Sequence, residues 1–255
     1  MKRRTVMTLG LSALGAAGLG WWQRNSITRW ALTRGENGVA PPTEMPDLGD
    51  TACVLTPEQD EGPFFIAAEE RSDIREDRDG LPLSLELQLV SAQGCKPVAG
   101  ARVEIWHCDA QGRYSGYPEH LAHRPFDSMR YLGGTNGHKT PENEKRFLRG
   151  SQKTDADGVV RFQTIVPGWY EPRVPHIHLK VFNEGRAYLT TQLYFPGDLT
   201  REVYTTHPDY IAQGDSPYHH GNDMVLGQFP DASGLLLNPV GVDDGLAGSG
   251  MLVLT

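Results

Sequence analysis

His176 and His178 stand two residues apart in the run HIHLKVF. Successive side chains of a strand leave opposite faces, so these two imidazoles leave the same one. Two neutral imidazoles on one face can share one metal ion. Upstream, the turn PGWY ends in Tyr170, six residues before His176, with Arg173 between them. The Pro–Gly turn can hold that phenol near the start of the histidine strand. Tyr114, in GRYSG, is a second candidate phenol. A phenol ionises near pH ~10 unless a strong Lewis acid sits beside it. Two phenolates and two imidazoles therefore suit a hard, oxidised metal. Fe(III) fits that donor set better than Zn(II), which takes Cys, His and carboxylate. The Fe(II) facial triad needs a carboxylate beside two histidines. The H-x-D/E form of that triad is missing, and its nearest substitute, Asp109, serves equally as a turn cap.

Each residue taken singly has a commoner use. Tyr114 and Tyr170 could be rim aromatics, Arg173 a surface ion-pair partner, and Gln192 an ordinary strand residue. Trp106 and Trp169 read as packing residues, and the pair His219–His220 as a solvated loop. The combination carries the signal.

The elements that must position these groups read as strands. LSLELQLV (Leu83–Val90) alternates apolar and polar side chains, the period of a half-buried strand. ARVEIWHC (Ala101–Cys108) places Val103, Ile105 and His107 on one face. GVVRFQTI (Gly158–Ile165) follows the turn TDADG. HIHLKVF (His176–Phe182) and AYLTTQLYF (Ala187–Phe195) flank the turn NEG. Residues 113–147 form a long polar loop rich in Gly, Pro and His, a length that is usually functional or mobile. Residues 197–224 are turn-rich with one short helix, and LLLNPV and SGMLVLT can add late strands. The pattern predicts an all-β fold, an antiparallel β-sandwich with long functional loops. No phosphate-cradling glycine loop is present.

The composition agrees. The 255 residues include 29 Gly and 18 Pro, an excess that favours turns over a helical bundle. The net charge is −8, which gives no positive field for a nucleic-acid partner. Six basic residues lie in the first 35 positions; beyond them 18 basic face 32 acidic, a net of −14. Residues 1–22 read as an export signal: Lys2, Arg3 and Arg4 precede a charge-free apolar stretch, and the Arg3–Arg4 pair fits twin-arginine export. The expected location is periplasmic or extracellular, and an uncleaved membrane anchor is the competing reading of residues 1–22. Residues 23–52 read as a linker or extended arm, leaving 53–255 as one catalytic β domain. Cys53, Cys95 and Cys108 lack metal-site spacing. One disulfide plus one free thiol fits an exported chain, with the pairing open and three buried thiols as the alternative.

The runs VEIWHCDAQGRYSGY, FLRGSQKTDADGVVRFQTIVPGWYEPRVPHIHLKVF and TTQLYF resemble the intradiol ring-cleavage dioxygenases. These are enzymes of the protocatechuate 3,4-dioxygenase and catechol 1,2-dioxygenase type. CVLTPEQDEGPFF resembles the segment that precedes their core, and the resemblance spans about residues 53–200. It implies an Fe(III) site with Tyr114, Tyr170, His176 and His178 as ligands. Tyr170 and His178 would be axial, Tyr114 and His176 equatorial. Arg173 and Gln192 match the family's arginine and glutamine near the iron. The implied activity is cleavage of a catechol-type diol with O2 to a cis,cis-muconate-type dicarboxylic acid, in aromatic compound catabolism. A homo-oligomer is also implied. Only two residues separate Tyr170 from Arg173, where the family usually carries more, and the helical dimerisation region of catechol 1,2-dioxygenases is missing. The rival readings are an exported β-sandwich binding module without catalysis and a metal-dependent hydrolase.

Overall fold

The computed structural model describes residues 53–117 and 138–255. The expected export signal and linker at 1–52, and part of the long loop, lie outside them. Eight strands form two four-stranded sheets. The first contains β1 (Pro82–Ser91), β4 (Val159–Ile165), β7 (Val240–Val242) and β8 (Gly245–Leu254), in the order β4-β1-β8-β7. The second contains β2 (Arg102–Trp106), β3 (Arg149–Lys153), β5 (His176–Asn183) and β6 (Arg186–Tyr194), in the order β3-β2-β5-β6.

The alternation read from sequence sets the core. Leu83, Leu85, Leu87 and Leu89 of β1 join Val103 and Ile105 of β2 and Ile177, Leu179 and Val181 of β5 in one buried cluster. Because β5 sends its aliphatic residues into that cluster, period two sends His176 and His178 to its other face. Cross-strand register then fixes their neighbours: Trp106 and Gln192 lie opposite His178, and Tyr194 opposite His176.

The all-β, wholly antiparallel sandwich expected from the sequence is corrected. β8 runs parallel to β1, with Leu83 opposite Leu246 and Ser91 opposite Leu254. The architecture is a mixed β core with a genuine α-helix, α1 (Gly197–Thr206), and two 3-10 turns at Leu226–Gln228 and Ser233–Leu235. The helix begins after Pro196 and buries Leu199, Val203 and Tyr204, a spacing of helical period. Strand direction is not legible in a tail as rich in glycine as GLAGSGMLVL, because pairing, not pattern, sets it.

The expected membrane association and membrane-anchored location are also corrected. Among the described residues no helix is long and apolar enough to cross a membrane. Residues 1–22, on which that reading rested, lie outside the described residues.

Of the three cysteines, Cys53 and Cys95 form the disulfide and Cys108 is a buried free thiol. The bridge spans 42 residues, and the loop-entropy relation gives it about 4 kcal/mol. It ties residue 53 to the turn after β1. From there the chain is pinned along the sheets, with Thr56 N donating to Val253 O at 3.1 Å and Gln59 N to Thr190 O at 2.8 Å. That path delivers residues 59–65 to the face that carries the two histidines.

Candidate metal centre

Two loops present the phenols. After β2, the Asp109 carboxylate accepts from the Gln111 and Arg113 amides, both at 3.0 Å, and so folds the turn leading to Tyr114. Gly112 sits in that turn with φ +77°, where a Cβ would lie 2.5 Å from the Trp169 carbonyl oxygen. Gly168 packs back in the same way, 2.5 Å from the Ala110 carbonyl, and its amide donates to Asp109 O at 3.0 Å. The Tyr114 and Tyr170 loops therefore dock backbone to backbone, at a distance only glycine permits. Beyond Tyr170, a cis Glu171–Pro172 bond and an Arg173 N to Tyr170 O hydrogen bond of 2.6 Å turn the chain into β5.

All four expected ligands converge on one point. His176 Nε2 lies 3.1 Å from His178 Nε2, 3.2 Å from Tyr170 Oη and 3.4 Å from Tyr114 Oη. The two phenol oxygens are 3.4 Å apart. His176 Nδ1–H donates to Val174 O at 2.6 Å, so the lone pair of its neutral ring sits on Nε2 and faces the other three groups. Burial, with help from Arg173, holds His176 well below the ordinary histidine range. Burial, then His176 and Arg173, does the same for His178. Both rings are thus neutral donors. Burial pushes Tyr114 well above the ordinary phenol range and Tyr170 up to about 12. Neither phenol ionises there near neutral pH without a cation to replace the lost solvation.

Neighbours fix the rings. Trp106 stacks on His178 with centroids 4.9 Å apart and planes 4° from parallel, and Phe64 stacks on Tyr114 at 4.6 Å. Trp106 packs as expected, in a buried cluster and against the His178 ring. Arg173 Nε donates to both Asp223 carboxylate oxygens, at 3.2 and 3.0 Å, and Nη2 donates to Gln192 Oε1. Burial opposes the charge on Arg173, but Tyr170 and Asp223 outweigh it and hold the guanidinium protonated. Gln192 Nε2 in turn donates to Asp60 O at 2.7 Å. Its carbonyl oxygen and the Tyr194 hydroxyl face the same guanidinium. Arg173 and Gln192, both expected near the site, lie there in contact with one another.

Other sequence candidates fall elsewhere. Asp109 folds its own turn. His107 is buried between Cys108 O and Thr164 Oγ1, and His220 meets Phe195 O. The sequence reading missed Asp223, Tyr194 and Gln59. Asp223 and Gln59 lie in turn-rich and irregular segments with no motif signal. Tyr194 could have been found from the period of β6, two residues beyond Gln192.

The donor set fits a hard trivalent metal. Four donors of neutral nitrogen and phenol type share one buried point, and His178 Nδ1 is a buried atom with no hydrogen-bond partner. His176, held through Nδ1–H on Val174 O and aimed by Nε2, matches a ligand fixed from behind. Among the described residues no cluster of three or more His, Cys, Asp or Glu has the arrangement of a metal site. A metal held at this point by more than the two histidines would draw on the tyrosines.

The chain is similar to known proteins in both sequence and fold. The family described as Dioxygenase matches residues 61–216. A catechol 1,2-dioxygenase of Acinetobacter lwoffii is 30% identical over 167 residues, which is 56% of this chain and 47% of that protein. The chain thus spans about half the length of such curated relatives. The structure of an intradiol ring-cleavage dioxygenase from Tetranychus urticae is 32% identical. It covers 80% of this chain and 95% of its own, with a TM-score of 0.68. The dioxygenase domain of a dioxygenase carbohydrate-binding protein fusion from Streptomyces sp. SirexAA-E is 29% identical. It covers 79% of this chain and 98% of its own, with a TM-score of 0.51.

Proposed function

The chain belongs to the intradiol ring-cleavage dioxygenase family, and from that premise we propose that it cleaves a catechol-type aromatic diol with O2. The product would be a cis,cis-muconate-type dicarboxylic acid, and residues 53–255 would form the one catalytic domain. Tyr114, Tyr170, His176 and His178 would hold Fe(III). The observation that carries this reading is the convergence of their four donor atoms, each 3.1–3.4 Å from His176 Nε2 or at it. Fe(III), when bound there, would supply a Lewis acid that activates the diol toward O2.

The side chains do the rest. Tyr170, whose buried phenol has a high proton affinity, would serve as the base that takes up one of the diol's protons. Arg173, fixed by Asp223 and Gln192, presents a permanent positive charge toward His176, with Nη1 3.4 Å from Nε2. It stabilises the negative charge that develops on the substrate oxygens. Gln192 is held at both ends of its amide and orients the reacting group. The buried aromatic wall of Phe64, Trp106 and Tyr117 keeps bulk water from the reacting face.

The test is Fe(III) loading followed by oxygen uptake with catechol, substituted catechols and hydroxyquinol. The loaded protein should turn red to burgundy and consume one O2 per diol, with product spectra of the intradiol type. A colourless protein that stays inactive after iron loading would sink the proposal. The binding-module reading predicts that outcome.

A further inference from the structure

Arg149 opens β3 at 1% exposure. Its Nε donates to Ser115 Oγ at 2.8 Å, Nη2 to Ser115 O at 3.0 Å and Nη1 to Phe64 O at 2.8 Å. All these partners are neutral. Among the described residues no carboxylate lies within ion-pair distance of it, whereas the other buried arginine, Arg173, has Asp223. Burial lowers Arg149 to about 10, so it still carries its charge near neutral pH. A buried cation without a counter-charge is costly, and three hydrogen bonds to neutral groups offset only part of that cost.

What Arg149 grips explains where it stands. Ser115 follows Tyr114 in the chain, and the Phe64 ring stacks on the Tyr114 ring at 4.6 Å with planes 26° apart. One planar guanidinium therefore clamps the backbone on both sides of that stack. Its fork geometry, which a lysine ammonium lacks, makes the grip directional.

We propose that Arg149 is a positioning residue for Tyr114: by clamping Ser115 and Phe64 it aims the phenol at His176 Nε2. This rests on the reading of Tyr114 as a ligand. A simple structural role would need only donors for two carbonyls and a hydroxyl. It would not need one planar fork that grips the backbone on both sides of the Phe64–Tyr114 stack.

The experiment compares Arg149→Lys and Arg149→Gln with the parent, each labelled with 3-fluorotyrosine and assigned through Tyr114→Phe. In metal-free protein both variants should shift or broaden the Tyr114 fluorine signal, because neither rebuilds the fork. On titration with Fe(III), Arg149→Gln should bind roughly 10-fold more weakly. Its visible tyrosinate band should move, and Arg149→Lys should fall between it and the parent. Variants that merely melt at lower temperature, with the Tyr114 signal, the band and the iron affinity all as in the parent, would overturn the proposal. If both fail to fold, Ser115→Ala removes one of the three bonds. It should move the Tyr114 signal in the same sense, and an unmoved signal refutes the positioning role. A parent that takes up no iron refutes the function proposed above, while the fluorine signal of the metal-free protein still decides whether Arg149 positions Tyr114.

Discussion

His176 and His178 meet nitrogen to nitrogen, Nε2 to Nε2, at 3.1 Å. Because His176 commits its one proton to Val174 O through Nδ1, its Nε2 offers only a lone pair. The short contact is a hydrogen bond only if His178 carries its proton on Nε2. A metal on the same point requires the opposite: both Nε2 atoms must be unprotonated, and the His178 proton must sit on Nδ1. Metal binding should therefore switch the His178 tautomer and leave that of His176 unchanged. Nitrogen NMR with Ga(III), a diamagnetic stand-in for Fe(III), reads this directly. A His178 that keeps its tautomer when Ga(III) binds would remove it from the ligand set.

Asp223 fixes Arg173 from a turn 50 residues away in sequence. Its oxygens also accept from the Val174, Val225 and Leu226 amides at 2.7–2.9 Å, so it ties that turn to the start of β5. Asp223→Asn keeps the shape but loses the charge and places an amide donor among donors. Breaking a buried pair in this way should cost roughly 3–5 kcal/mol in denaturant unfolding. If the variant folds, kcat should fall by roughly 10²-fold as Arg173 loses its aim. An unchanged kcat would show that Gln192 and Tyr194 alone hold the guanidinium.

This contact marks the limit of what the sequence could reveal. Tyr170, Arg173, His176 and His178 occupy nine consecutive residues, and a turn followed by a period-two strand places them by local geometry alone. Tyr114 was legible only as a second candidate phenol that the resemblance then assigned to the site, since the glycine contact that docks its loop on Trp169 is tertiary. Asp223 has no local pattern, because its role depends on the chain returning across the site after α1. The direction of β8 was illegible for a related reason: alternation reports which face is buried, whereas parallel pairing with β1 depends on how the chain returns.

His107 gives the fold a defined acid sensitivity. Its Nδ1–H donates to Cys108 O at 2.8 Å, and its Nε2 accepts from Thr164 Oγ1 at 2.6 Å. Burial, reinforced by Arg149, lowers it from the ordinary 6.5 to about 4. Between those values the unfolded chain binds a proton that the folded chain refuses. Stability is therefore full above pH ~6.5 and falls as the pH drops toward ~4, by up to about 3 kcal/mol. His107→Asn, which stays neutral, should flatten that window. Denaturant unfolding of both proteins at pH 7 and pH 4.5 measures the difference, and equal losses in the two would rule His107 out.

The docking of the two tyrosine loops can be separated from backbone strain by comparing two glycines. Gly112 and Gly185 share φ +77°, so an alanine at either meets the same left-handed penalty of about 1 kcal/mol. At Gly185 the added methyl meets nothing within 4 Å, whereas at Gly112 it meets the Trp169 carbonyl at 2.5 Å. A backbone atom cannot step aside as a flexible side chain can, so the Tyr114 and Tyr170 loops must move apart. Gly185→Ala should cost about 1 kcal/mol and leave iron binding as in the parent. Gly112→Ala should cost at least about 2 kcal/mol, bind Fe(III) roughly 10-fold more weakly and perturb the tyrosinate band. Equal stability losses and unaltered iron binding in the two variants would mean that the loops are held by contacts other than this one. The spacing of Tyr114 from Tyr170 would then have to be set by the Phe64 and Trp106 stacks.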